Sequence, residues 1–287
     1  MDLTKYLSFM KLNHYSPRTI HTYRHILLNF KSFSRQKNVV KCSEITTQIL
    51  DQYILYLKRR GLQSSTIKSY FKTIKSYIKF LVKQKVIHQD PSLLVILDIV
   101  PFQINPTPSR LEINKILSIP NCNTFHGLRD RTIMELAYTT GIRVFENWQL
   151  QTNHINFRKE VLQIENGKNR KDRIIPLNES ITFWLKQYLK QWIERKQTNK
   201  LWITQTGGPL GYQRLEKLIP SYVKKAGIIK KYSSHSFRRA FATHLLNHGT
   251  PPATISILLG HSSMNTLRYY MKSDMNFLRK EIKKWKI

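Results

Sequence analysis

The stretch Ser234-His235-Ser236-Phe237-Arg238-Arg239, followed by Gly260-His261 and then Tyr269-Tyr270, gathers more chemistry than any other part of the chain. It sets an imidazole and a guanidinium at i and i+3, on one face of a helix. A second imidazole follows, and then a phenol. Such a set can bind a phosphate, move a proton and supply an oxygen nucleophile. The helical periodicity around it, over about 236–248, 251–259 and 263–273, makes this end of the chain α-helical.

Working upstream, further helical patterns cover about 179–197 and 211–226. Before them, Ile155-Asn156-Phe157, Val161-Leu162-Gln163-Ile164 and Arg173-Ile174-Ile175-Pro176-Leu177 read as three short strands. The turn between the last two, Asn166-Gly167-Lys168-Asn169-Arg170-Lys171-Asp172, is strongly basic and opens on a hairpin dipeptide. A helix carrying Ile133, Leu136 and Ala137 ends at Thr140-Gly141-Ile142-Arg143-Val144-Phe145-Glu146, where Gly141 supplies a backbone turn. A shorter helix opens at Ser109 or Glu112. The fold class is mainly α with a small antiparallel β-sheet.

Residues 1 to about 100 read as helical, with three helices placed from Ser16 onward. Ser16-Pro17 starts a helix with Ile20, Tyr23, Ile26, Leu27 and Phe30 at helical spacing. Thr46 or Thr47 caps a second, which Gly61 stops. Ser64 or Ser65 opens a third, in which Lys68, Lys72, Lys75, Lys79 and Lys83 lie between the apolar positions. These lysines make either a solvated face or a DNA-facing one. Three prolines at 101, 106 and 108 mark residues 101–108 as a linker. The residues from 109 to 287 form a second domain. Past Tyr270, Leu278, Ile282 and Trp285 make an amphipathic helix over about 275–287, suited to packing on its own core or on a partner.

The 287 residues carry 48 Lys plus Arg against 17 Asp plus Glu, a formal charge of +31, spread along the chain. A surface this basic favours nucleic acid over an acidic membrane, because no segment pairs a basic face with a long apolar one. Cys42 and Cys122 fit no metal spacing and suit a reducing compartment. Neither a signal peptide nor a membrane span is apparent, so a cytoplasmic protein is expected. His244 and His248 stand at i and i+4 but lack the glutamate of the zinc-protease helix. They read as structural.

A phosphodiester attacked by an oxygen spreads charge over its non-bridging oxygens, and fixed cations aimed there lower the barrier most. Arginine fits, since its planar fork binds two oxygens and keeps its charge. A phenol, with an ordinary pKa of ~10, needs cations or a base to lose its proton, and the leaving oxygen needs an acid. Two arginines, a tyrosine, a lysine and a histidine meet these needs without a metal.

In this arrangement the chain resembles the tyrosine recombinases, or phage integrase family, including the bacterial Xer type. Tyr15-Ser16-Pro17-Arg18-Thr19-Ile20-His21-Thr22-Tyr23 resembles the opening helix of the family's core-binding domain. Thr140 to Glu146 resembles its first arginine motif, and Gly167-Lys168 its hairpin lysine. His235-Ser236-Phe237-Arg238 resembles its His-x-x-Arg motif. Leu259-Gly260-His261, with Tyr270 nine residues beyond, resembles the end of its active site. The motifs span nearly the whole chain in the family's order.

The resemblance implies a helical core-binding domain over 1–100 and an α+β catalytic domain over 109–287. Arg143 and Arg238 would clamp the scissile phosphate. Lys168 would protonate the leaving 5′ oxygen, with Lys171 as its rival, otherwise a DNA contact. His235 would assist proton transfer, His261 would bond the phosphate, and Glu146 would orient the site. Tyr270 would attack, with Tyr269 as its rival, giving a 3′-phosphotyrosyl link that needs no ATP, cofactor or metal. Arg239, like Lys68, Lys72 and Lys75, would contact DNA outside the site.

The implied partner is double-stranded DNA with a short inverted-repeat core, held by a homotetramer, with accessory sites or proteins possible. The implied role is site-specific recombination for resolution or integration of a replicon or mobile element. A type IB-like topoisomerase and an inactive DNA-binding relative are the alternatives. In one place the chain departs from the family: Asn147-Trp148 follows Glu146 where an apolar residue is usual, which bears on local packing.

Overall fold

A computed structural model describes residues 3–97, 106–165 and 172–260. The chain divides into two compact units, Met1–Gln103 and Ile104–Ile287.

Among the described residues of the first unit, four α-helices surround one core: α1 (Thr4–Leu12), α2 (Pro17–Gln36), α3 (Thr47–Arg59) and α4 (Ser64–Lys83). Ser16 caps α2, its side chain accepting the Thr19 N–H at 3.1 Å, with Pro17 in the first turn. Thr46, not Thr47, caps α3. Leu27, Phe30, Tyr53, Ile74, Tyr77 and Ile78 fill the core. Helix α1 escaped the sequence reading. It has no side-chain cap and buries only Tyr6 and Met10, too short a stripe for periodicity to register. On α4 the apolar residues Ile67, Phe71, Ile74, Tyr77, Ile78 and Leu81 are buried, whereas Lys68, Lys72, Lys79 and Lys83 are exposed and Lys75 is half-buried. At about 100° per residue the five lysines share one outward stripe.

The second unit is built around α6 (Phe125–Thr140), preceded by α5 (Arg110–Leu117). Helix α6 is buried on nearly every side. Its buried Arg129 is matched by Asp130 at 2.7 Å, which in turn accepts from Tyr222 at 3.1 Å, so the charges inside the core are paired. Next come α7 (Val144–Gln149) and an antiparallel sheet of β1 (Ile155–Asn156), β2 (Val161–Ile164) and β3 (Arg173–Pro176), in that order. Leu162 faces both Ile155 and Ile175 across the ladders, and all three are buried. At the far end of β3, Arg173 pairs with Ile164. Then follow α8 (Glu179–Ile193), α9 (Tyr212–Glu216), α10 (Leu218–Lys225), α11 (Ser234–Asn247) and α12 (Pro252–Leu259).

Two expectations need correction. The helical pattern over 179–197 ends at Ile193. The single helix expected over 211–226 is two helices, α9 and α10. Pro220, in the first turn of α10, lacks the N–H that would bond the Glu216 carbonyl, and the break falls just before that turn, at Lys217. Ser109 is the cap of α5, with Glu112 returning a bond to its N–H at 2.8 Å. Asn147 is buried and its side-chain oxygen accepts the Trp202 indole N–H at 2.8 Å, while Trp148 donates to the Leu210 carbonyl. The unusual pair is thus fully accommodated. Among the described residues no helix is long and apolar enough to cross a membrane.

Candidate active site

Two helix ends define the site. Helices α6 and α12 both finish on a glycine in the left-handed region, Gly141 at φ 59° and Gly260 at φ 61°. This conformation suits glycine, and here space demands it as well. A Cβ on Gly141 would stand 2.5 Å from Phe241 and 2.8 Å from Leu259, and one on Gly260 would stand 2.9 Å from the Arg173 side chain. The last carbonyls of a helix lack partners within it and carry its negative dipole end. Guanidiniums take them up here. Arg238, on α11, donates to the Gly141 carbonyl at 2.5 Å and to the Leu259 carbonyl at 2.6 Å. Arg143, at the start of α7, donates to the Gly260 carbonyl at 3.3 Å. Arg173, on β3, donates to the Leu258 carbonyl at 3.0 Å.

Glu146 binds two of these arginines. It accepts Arg143 Nη1 at 2.8 Å and the Arg143 backbone N–H at 3.0 Å. Arg173 grips it with both arms, at 3.1 and 2.7 Å. Burial alone would raise the Glu146 pKa. The Arg173 hydrogen bonds and charge, joined by Arg143, overcome that and lower it from 4.5 to about 2. Arg238 is 5 % exposed, whereas the Arg143 side chain keeps 22 % of its surface open. His235, in the first turn of α11, is exposed at the surface. Partial burial, and then the charges of Arg238, Arg239 and Arg143, hold its pKa below the ordinary 6.5.

Arg143 and Arg238 therefore meet from distant parts of the chain at the carbonyl end of α12, with Glu146 bonded to Arg143 and His235 within electrostatic reach of both arginines. Arg239 turns elsewhere, donating to the Pro106 carbonyl at 3.1 Å and to Ser236 Oγ at 3.2 Å. Lys68, Lys72 and Lys75 lie in the first unit. Lys168, Lys171, His261, Tyr270 with its rival Tyr269, and the tail at 275–287 lie outside the described residues. Arg173 was missed as a site residue: in sequence it is only the first residue of a strand. Its one signal was a charged residue entering an otherwise apolar strand beside the basic turn. His244 faces Tyr138 at 2.9 Å and His248 contacts the Arg110 guanidinium. Among the described residues no three His, Cys, Asp or Glu side chains gather as a metal site.

A sequence model of the phage integrase family matches residues 109–276, and one of its SAM-like domain matches residues 3–94. The tyrosine recombinase XerD of Staphylococcus saprophyticus is 31% identical, covering 97% of this chain and 96% of the relative. That of Staphylococcus aureus strain Mu50 is 29% identical over the same shares. In fold, the chain is similar to the Tn1549 transposon integrase in complex with a circular intermediate DNA, with a TM-score of 0.79 at 17% identity, covering 98% of each chain. It is also similar to the XerH site-specific recombinase bound to a palindromic difH substrate, with a TM-score of 0.73 at 24% identity, covering 92% of this chain and 79% of that one. With a family model over more than half its length and a relative of 31% identity along nearly all of it, the chain belongs to the phage integrase family, the tyrosine site-specific recombinases.

Proposed function

We propose that this chain is a cytoplasmic enzyme that cuts and rejoins duplex DNA at a short inverted-repeat core through a 3′-phosphotyrosyl link. The observation that carries this reading is the convergence at the end of α12. Arg143 and Arg238, remote in sequence, bond neighbouring carbonyls immediately before His261, Arg143 that of Gly260 and Arg238 that of Leu259. Both cations are thereby fixed before substrate arrives, as stabilisation of a phosphoryl transition state requires.

In this reading Arg143 and Arg238 bind the non-bridging oxygens of the scissile phosphate, and His261 adds a hydrogen bond. Tyr270 attacks the phosphorus. Its proton passes toward His235, which is neutral at physiological pH because its pKa lies below 6.5. Lys168 delivers a proton to the departing 5′ oxygen. Glu146 holds Arg143 in place. The phosphotyrosine keeps the energy of the broken bond, so the reverse attack by a 5′ hydroxyl reseals the strand without ATP.

Residues 1–100 serve as the core-binding domain, with the α4 lysines toward the phosphates, and residues 101–108 as the linker to the catalytic domain. Four copies act together on two duplexes, and the tail at 275–287 docks on a neighbouring copy. The likeness to XerD recombinases and to a transposon integrase supports resolution or integration of a replicon or mobile element.

Selection from a library of random duplexes tests the specificity. The bound fraction is expected to converge on two inverted half-sites flanking a short centre. Retention of random sequence after repeated rounds overturns a site-specific role.

A further inference from the structure

Arg173 is the one member of the arginine cluster without a part in the chemistry above. Its side chain is 8 % exposed, and all its nitrogens are committed. Two grip Glu146, and the third bonds the Leu258 carbonyl. Its aliphatic stem lies against Gly260 so closely that any Cβ there would collide with it. Arg173 thus ties the end of β3 both to the Arg143 motif and to the turn before His261.

The charges explain why this matters. Glu146 has one negative charge and, among the described residues, two cationic neighbours. Arg173 engages both carboxylate oxygens. Arg143 gives Glu146 a single side-chain nitrogen, Nη1, and keeps the more open surface. Without Arg173, Arg143 would be the carboxylate's sole cationic partner among the described residues. A buried carboxylate then draws that guanidinium into a two-armed pair, away from a phosphate. We propose that Arg173 is a positioning residue: it occupies Glu146 so that Arg143 remains available for the scissile phosphate. The inference rests on the reading of Arg143 as a phosphate clamp.

The test is single-turnover cleavage of a nicked duplex bearing the selected core site, scored as covalent protein–DNA complex. Arg173→Gln is expected to slow cleavage by about 10- to 100-fold, the scale of a displaced reacting group, with half-site binding within twofold of wild type. Adding Glu146→Gln to that variant removes the competing charge, and the double variant is expected to cleave several-fold faster than Arg173→Gln alone. A 5′-bridging sulfur, which leaves without an acid, is expected to restore Lys168→Ala but not Arg173→Gln.

A double variant no faster than Arg173→Gln overturns the proposal, as does Arg173→Gln within twofold of wild type or restored by sulfur. Should Arg173→Gln fail to fold, the double variant is compared with Glu146→Gln. With the carboxylate gone, loss of Arg173 is expected to cost less than threefold, and a loss of tenfold or more overturns the proposal. A wild-type chain that binds the site but never links to it overturns the parent reading as well, and that failure is recognised in wild type itself.

Discussion

The pairing of Glu146 with Arg143 and Arg173 makes a quantitative prediction about stability and pH. The carboxylate falls from 4.5 to about 2 on folding. At about 1.4 kcal/mol per pH unit, that difference is worth on the order of 3 kcal/mol at neutral pH. A group whose folded pKa is depressed adds stability above its unfolded pKa and loses it as pH falls through the folded one. Glu146→Gln removes this contribution and leaves two guanidiniums without their anion, so the variant is expected to be less stable by roughly 3 kcal/mol at pH 7. Urea unfolding followed by tryptophan fluorescence is well suited to the measurement. All five tryptophans, at 148, 184, 192, 202 and 285, fall in the second unit, so the signal reports that unit alone. Between pH 7 and 5 the gap between wild type and variant should hold steady. Below 4.5 it should close, reaching about half its value or less by pH 3. A gap that stays constant down to pH 3, or a variant as stable as wild type at pH 7, would refute the argument.

Three further outcomes follow from particular residues. Gly141→Ala is expected to destabilise the second unit by about 2–4 kcal/mol, because the left-handed strain adds to a collision with Phe241, whereas Gly61→Ala, with φ 74° and open space around it, should cost about 1 kcal/mol. Calorimetry of both variants checks the contrast. Replacing Lys68, Lys72 and Lys75 together by Gln should lower the slope of log affinity against log salt by roughly 0.9 for each phosphate no longer neutralised, measured by fluorescence anisotropy on the selected site. The rate of covalent complex formation should fall on the acid side with a midpoint below 6.5, because protonating His235 removes the base, and His235→Gln should abolish that limb of the profile.

Much of this molecule is written in local sequence. The Ser16-Pro17 start, the Ser109–Glu112 cap, the three strands and the glycine after α6 all follow from short-range rules, and they reappear nearly residue for residue. What escaped is what depends on distant partners. Helix α1 is recognisable only once Tyr6 packs beside Tyr77. Asn147 looks out of place until Trp202 arrives from 55 residues away to bond it. Arg173 is an ordinary strand residue until Glu146 and the end of α12 meet on it. The family spacing names Arg143, His235 and Arg238, yet the anchoring of the two arginines on helix-end carbonyls could not be read from it.

Covalent trapping puts the phosphotyrosyl link itself to the test. A nicked suicide duplex carrying the selected core site is incubated with wild type, Tyr270→Phe and Tyr269→Phe, and the products are resolved on a denaturing gel. A protein–DNA band with wild type and Tyr269→Phe, absent with Tyr270→Phe, is the predicted result. Its loss only in Tyr269→Phe would move the nucleophile by one residue. A specific shift on a native gel with no covalent band for wild type would contradict the account.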